Sequence, residues 1–149
     1  MGRVMLGNLK RQRGSPIDVR VDRSSESPLG NPFDVRAGRS RDAVCEACDE
    51  AFEEGQPGAV RRAAERRGWA CAGLEAWDSE AAVRARRDAT EACARRVAAG
   101  HDVRLMCHCY PRRCHAQDLA RRIVAVAEKL QGEARRRKRR RRGGGSSAE

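Results

Sequence analysis

Apolar and polar residues alternate in three short stretches that predict β-strands. Residues 4–9 and 17–21 are rich in β-forming side chains, and in the second stretch Ile17, Val19 and Val21 point to one face. Residues 103–107 are mostly apolar on both faces, which is typical of a strand at the centre of a sheet. We therefore expect a small sheet with the last strand in the middle.

Apolar residues at helical spacing predict the helices that cover this sheet. One helix begins at a Ser40 N-cap and ends at Gly55, and others span residues 59–67, 80–99 and 116–130. The resulting order β-β-loop-α-α-α-β-α predicts one small α/β domain, in which a sheet of about three strands packs against helices.

Most of the positive charge of the chain lies near its C-terminus. The net charge is +11, and +8 of it comes from one run: Arg135, Arg136, Arg137, Lys138, Arg139, Arg140, Arg141 and Arg142. We expect residues 1–132 to form the domain and residues 133–149 to be a disordered tail. Such a run binds phosphates without sequence preference, so the tail predicts contact with nucleic acid or another polyanion. The alternative is a tail that only keeps the protein in solution.

Cysteine usage and hydropathy bear on the compartment. The chain has seven cysteines without an export signal, which favours reduced thiols. No stretch approaches ~20 continuous apolar residues, so no membrane segment is expected. These features predict a cytoplasmic protein, or a nuclear one if the host is eukaryotic.

The candidate chemistry lies in residues 103–115, V-R-L-M-C-H-C-Y-P-R-R-C-H. This stretch holds three of the seven cysteines and two of the three histidines, and it runs from a predicted strand into a predicted helix. In α/β folds, ligands bind where strands end and helices begin, because the helix N-terminus offers free N–H groups to an anion.

One interpretation of this turn is a zinc site. Thiolates and imidazole suit zinc, and Cys107 and Cys109 point to the same side of a strand. The spacing C-x-C-x4-C-H is unusual, because structural zinc sites commonly take ligand pairs from two separate knuckles. Zinc is therefore not favoured at this stage, and the cofactor is left unknown. The ligands would be Cys107, Cys109, Cys114 and His115.

A second interpretation is an enzyme-like anion site. Cys114 lies at the helix start, where the dipole and the neighbouring Arg112 and Arg113 would lower its pKa. Cys107 and Arg113 also match the C-x5-R phosphate loop of cysteine phosphatases, but Pro111 removes a backbone donor that such a loop needs. The third interpretation is that the cysteines only fill the core, as is expected of Cys45, Cys48, Cys71 and Cys93.

A second motif, P-L-G-N-P-F at residues 28–33, predicts a rigid turn. The prolines restrict the backbone, Gly30 can adopt a positive φ, and Leu29 and Phe33 would anchor the turn to the core. Asn31 would then either stabilise the turn through an Asx bond or offer its amide to a ligand.

The two motifs together resemble the domain-of-unknown-function 4326 family of bacteria, phages and large viruses. The early V-x-L-G-N-L-K and I-D-V-R-V-D-R stretches are similar to the first two strands of that family, and the resemblance covers roughly residues 3–128. It implies a small α/β domain with Asn31 and the cysteine–histidine turn as signature positions, and it implies no particular activity. The chain departs from the family at His108, where the family commonly has Trp.

The leading hypothesis is a pocket between the Asn31 turn and the Cys107–His115 turn for an anionic, nucleotide-related ligand. If the protein is an enzyme, Cys114 and His115 would be its catalytic residues. The ligand-binding residues would be Gly30, Asn31, Cys107, Cys109, Arg112 and Arg113. The alternatives are a non-catalytic nucleic-acid-binding accessory protein that acts through its tail, and a zinc-stabilised domain.

Overall fold

Three parallel strands form the sheet at the centre of the fold. The computed structural model describes residues 1–8, 18–23, 27–35, 38–109 and 112–144. The strands are β1 (Val4–Asn8), β2 (Asp18–Arg20) and β3 (Val103–Cys107), and their order is β1-β3-β2. Leu105 on β3 lies beside Leu6 on one side and Val19 on the other. The apolar third strand therefore occupies the central position, as predicted. Leu9, Ile17 and the predicted loop between them lie outside the described residues.

Five helices in the described part of the chain complete the α/β domain. They are α1 (Arg41–Glu54), α2 (Ala59–Arg66), α3 (Glu75–Asp78), α4 (Glu80–Ala98) and α5 (His115–Gly143). The Ser40 and Ser79 side chains accept hydrogen bonds from backbone N–H groups in the first turns of α1 and α4. Gly55 ends α1 with φ of 63°, a conformation that costs glycine little.

The core has two parts. The first lies between the sheet and helices α4 and α5 and contains Val97, Leu105, Leu119 and Ile123. The second joins α1, α2 and the segment around α3, and it is built from Phe33 and many small side chains. Phe33 lies two residues after Asn31, and its ring packs edge-on against that of Trp69, with 5.4 Å between the ring centres. This contact attaches the Asn31 turn to the second part of the core. Cys45, Cys48 and Cys93 are buried, as expected of core cysteines, and Cys71 is half-buried.

The basic end differs from the expectation of a disordered tail. Helix α5 continues to Gly143, so residues 133–143 are helical, and residues 145–149 lie outside the described residues. Glu, Ala, Arg and Lys are good helix formers, and no proline interrupts the helix that precedes them. Residues 133–143 are exposed, so this end of the helix buries no apolar surface. No described helix is long and apolar enough to cross a membrane.

Candidate functional site

The cysteine–histidine turn joins the central strand to the last helix. Strand β3 ends at Cys107, and α5 begins at His115 with Cys114 as its N-cap. The Cys114 backbone is extended, and its sulfur accepts a hydrogen bond from the Ala116 N–H at 3.5 Å. A cysteine thus holds the position where serine or aspartate usually caps a helix. Pro111, which argued against a phosphate loop, lies outside the described residues.

Three of the predicted zinc ligands come together in a buried cluster. The ligand atoms of Cys107, Cys114 and His115 all lie within 4.8 Å of one another. Cys114 Sγ lies 3.5 Å from His115 Nδ1. Cys109 is half-buried, and the thiols of Cys107 and Cys114 are near enough to shift its pKa.

His115 is held in one orientation by the Asn31 turn. Its Nε2 lies 2.8 Å from the backbone oxygen of Leu29. Because a carbonyl oxygen only accepts, Nε2 carries the proton, and Nδ1 presents its lone pair to the sulfur cluster. Burial lowers the pKa of His115, while hydrogen bonds to the Leu29 and Val21 carbonyls act in the opposite direction. The ring is therefore a neutral imidazole at physiological pH.

The thiols of the cluster differ strongly in acidity. Hydrogen bonds from Cys107 and Cys114 lower the pKa of Cys109 to about 2, because two S–H donors stabilise one thiolate. The same hydrogen bonds, together with burial, raise the pKa of Cys114 far above its usual range. Cys114 is thus not the acidic thiol, contrary to the expectation from its place at the helix start.

The Asn31 side chain makes two hydrogen bonds beside the cavity. Its oxygen accepts from the Phe33 N–H at 2.9 Å, and its amide nitrogen donates to the Val44 carbonyl of α1 at 3.2 Å. The Asx alternative describes the first of these contacts, and the second uses one of the two N–H donors of the amide. Gly30 is buried without a positive φ; a Cβ there would lie 3.1 Å from the Trp77 ring, so this glycine provides room rather than a special turn conformation.

The two arginines expected to hold an anion have different surroundings. Arg113 pairs with Asp118 at 2.9 Å and also donates to Gln117, so its charge is already balanced. Arg112 is exposed, and its backbone N–H closes the turn onto the Cys109 carbonyl. Arg41 at the start of α1 instead lies near enough to Cys109 to lower the pKa of its thiol. Sequence reasoning missed Arg41 because it lies more than 60 residues from the turn.

A cavity of about 250 Å³ lies between the two turns. Its walls are formed by the Asn31 turn, the start of α1 and the cysteine–histidine turn. This is the place where α/β folds commonly bind ligands, at the carboxyl ends of the strands. Sequence reasoning did not select Asp22, which is buried and pairs with Arg20, or Cys45. Asp22 follows β2 and could have been found by asking which polar residues end parallel strands. The cavity's lining residues include Asp22, Asn31, Phe33, Arg41, Cys45, Cys107, His108, Cys109, Arg113, Cys114 and His115.

Comparison with known proteins places the chain in one family. The model of a family described as "Domain of unknown function (DUF4326)" matches residues 7–125, which is most of the chain. The chain belongs to this family. No curated protein and no solved structure matches it. The match runs from the end of β1 into the first third of α5 and includes both turns, so the cavity between the turns lies within the DUF4326 domain.

His108 is the position at which this DUF4326 domain departs from the motif. Its ring is partly exposed and lies 3.5 Å from the Asp22 carboxylate, and its backbone oxygen accepts from the Asn8 side chain. The residue therefore joins the ends of all three strands at the mouth of the cavity. Its side chain is not one of the three ligand groups gathered in the buried cluster.

Proposed function

We propose that the domain binds a zinc ion at the Cys107–His115 turn, with three thiolates and one imidazole as ligands. The observation that carries this proposal is the buried convergence of Cys107, Cys114 and His115 within 4.8 Å. Three adjacent thiols and an imidazole lone pair are an unusual set to bury without a ligand, and they are the donors that structural zinc prefers. Cys109, hydrogen-bonded to two of them, would supply the fourth ligand.

The surroundings of His115 support the same proposal. A zinc-bound histidine commonly donates its other ring N–H to a carbonyl or carboxylate, which fixes the tautomer and the ring plane. His115 makes this contact with Leu29 through Nε2 and leaves Nδ1 towards the sulfur atoms. A zinc ion would therefore connect α5 to the P-L-G-N-P-F turn through a single side chain.

The charge around the cluster is also suitable. Zinc with three thiolates and a neutral imidazole carries a net charge of about −1. Arg41 lines the same cavity as Cys109 and lowers the pKa of its thiol, so it would balance this charge from the start of α1. The N–H of Ala116, which donates to Cys114, would stabilise the thiolate at the helix N-terminus.

The test is metal content of the purified, reduced protein. We expect about one zinc per chain by mass spectrometry, and cobalt substitution should give the absorption bands of a tetrahedral thiolate site. Cys107→Ser and Cys114→Ser should lose most of the metal. Cys71→Ser is the matched control, because Cys71 is half-buried and lies at the edge of the other core region. Absence of zinc and cobalt binding in protein with all thiols reduced would refute the proposal.

A second candidate function is binding of an anionic, nucleotide-related ligand. The observation that favours it is the cavity beside the cysteine–histidine cluster. The cavity is lined by Arg41, which forms no ion pair among the described residues and would attract a small anion, whereas Arg23 and Arg113 pair with Asp34 and Asp118. A thermal-shift panel of inorganic phosphate, ribose 5-phosphate and AMP, repeated on Arg41→Met, tests this candidate separately from zinc. Stabilisation that Arg41→Met leaves unchanged would exclude the pocket as the binding place.

A third candidate is polyanion binding by the basic end of α5. All eight residues of the run are exposed on the helix, and none takes part in an ion pair among the described residues. Their charge is therefore available to phosphates in a way that the paired arginines of the folded body are not. This binding would be independent of sequence and strongly dependent on salt.

A further inference from the structure

A second cavity lies between helices α1, α4 and α5 and shares no lining residue with the cavity at the cysteine–histidine turn. Its volume is about 250 Å³. We call it the three-helix crevice. It combines an apolar wall with several arginines, and the residues that matter for its chemistry are Phe52, Val83, Arg86, Arg87, Arg122 and Val126.

Arg86 is the unusual residue of the three-helix crevice. It is only 5% exposed, and its Nε and Nη1 atoms are buried without a hydrogen-bond partner. Its Nη2 donates to the Trp77 carbonyl at 2.8 Å, and its guanidinium lies 4.3 Å from the centre of the Phe52 ring. The guanidinium is thus fixed in place while part of its donor capacity is unused.

No carboxylate compensates Arg86 by contact within the described part of the chain. Asp78 acts on its charge, but the carboxylate oxygens of Asp78 accept from the Val60 and Arg61 N–H groups at 2.8 and 2.7 Å, at the start of α2. Buried charged groups in proteins are usually paired, because an unpaired charge loses its hydration without compensation. An arginine kept in this state at a cavity wall indicates a site for an anion.

The other charged residues of the three-helix crevice point the same way. Arg87 and Arg122 add two more positive charges, and the Nε of Arg122 is also buried without a partner. The one acidic residue of the lining, Glu91, pairs with Arg95 outside the crevice. The interior therefore has an excess of positive charge, even though Arg122 pairs with Asp49 and Glu53.

We propose that the three-helix crevice binds a small organic anion, with Arg86 as the anchor of its carboxylate or phosphate group. Phe52, Val83 and Val126 would contact the apolar part of the ligand. The volume is below the ~300–1,000 Å³ of typical ligand pockets, so the ligand has about the size of one substituted ring. This site is independent of zinc at the Cys107–His115 turn.

The experiment is calorimetric titration of the full-length protein in a chloride buffer with benzoate, phenyl phosphate and benzyl alcohol. Benzoate and phenyl phosphate share an apolar ring and differ in the anionic group, and the alcohol has the ring without charge. We expect saturable binding of at least one anion and none of the alcohol. The comparison of the two anions decides between a carboxylate and a phosphate ligand. If neither anion binds saturably, the proposal is overturned.

Variants show whether the anion binds at the three-helix crevice. Arg86→Met should weaken binding at least tenfold, whereas Arg84→Met removes the same charge from an exposed position of α4 and should leave the affinity unchanged. Equal losses in both variants would mean general surface attraction and would overturn the proposal, as would wild-type affinity in Arg86→Met. If Arg86→Met does not fold, Val126→Phe should fill the crevice and abolish binding with Arg86 intact. In the wild-type protein, the anion should also shift the NMR signal of the Arg86 Nε–H, and an unshifted signal would contradict the assignment.

Discussion

Replacement of His115 by leucine tests the contact that joins the two signature turns. Leucine has a volume close to that of histidine, so the change should leave no large cavity in the core. It removes the donor to the Leu29 carbonyl and leaves a buried acceptor without a partner. Such an unsatisfied group costs about 1–3 kcal/mol, which corresponds to a roughly 5- to 150-fold shift of the folding equilibrium towards the unfolded chain.

The assay is urea unfolding of metal-free, reduced protein followed by circular dichroism, with linear extrapolation to water. Work on the metal-free form separates the hydrogen bond from any contribution of zinc. His101→Leu is the control, because His101 is exposed and its replacement should change stability by no more than about 0.5 kcal/mol. A loss in His115→Leu no larger than that of the control would refute the argument that this hydrogen bond fixes the turn.

The same variant should also reveal how the stability of the protein depends on pH. Burial lowers the pKa of His115 in the folded protein, whereas an unfolded histidine titrates near ~6.5. Below about pH 6.5 the unfolded chain therefore binds a proton that the folded protein does not, so stability falls as the pH drops from there towards the folded pKa. The difference in stability between wild type and His115→Leu should shrink over this range, and a constant difference would contradict the assignment of a neutral, buried ring.

Three further predictions concern other parts of the molecule. In metal-free, reduced protein at pH 6, iodoacetamide should label Cys109 faster than Cys114, because the thiolate resides on the half-buried Cys109 sulfur. Peptide mass spectrometry measures the two rates, and equal rates would contradict the prediction. Asn31→Ala should lower the free energy of unfolding by about 1–3 kcal/mol in urea titrations, because it leaves the Phe33 N–H without its acceptor and removes a second donor from the Val44 carbonyl. An unchanged midpoint would show that the Asx bond does not contribute to stability. Deletion of residues 133–149 should leave the unfolding transition of the domain, followed by circular dichroism, intact. It should nearly abolish DNA binding measured by fluorescence anisotropy, and the remaining binding constant should depend less steeply on salt concentration. Unchanged affinity and salt dependence would assign DNA binding to the domain.

The sequence was sufficient for the order and type of the main elements. Period-two and helical spacing predicted the three strands and the long helices, and Ser40, Gly55 and Ser79 lie at the helix ends where capping chemistry requires them. The central place of β3 followed from its apolar composition, since only a strand covered on both faces has that pattern. These features depend on local propensity and burial, which a single sequence contains.

At the basic end of the chain, two local rules compete. Eight adjacent positive charges predict disorder, yet the same residues are good helix formers that extend a helix already anchored in the core. Helix growth from an existing helix avoids the cost of nucleation, so residues 133–143 continue α5.

The candidate sites depended on contacts that no local pattern contains. The sequence named Cys107, Cys114 and His115, but only the fold shows that Leu29 orients the ring, that Arg41 lies in the same cavity as Cys109, and that Asn31 bonds to α1. It gave no sign that Arg86 is buried without a counterion, because helical spacing alone reads arginine as a surface residue. Sequence determines which groups are present and how each segment folds. The packing of distant segments decides which groups lose water and which partners they meet. Burial and hydrogen-bond partners together set the chemistry of each group.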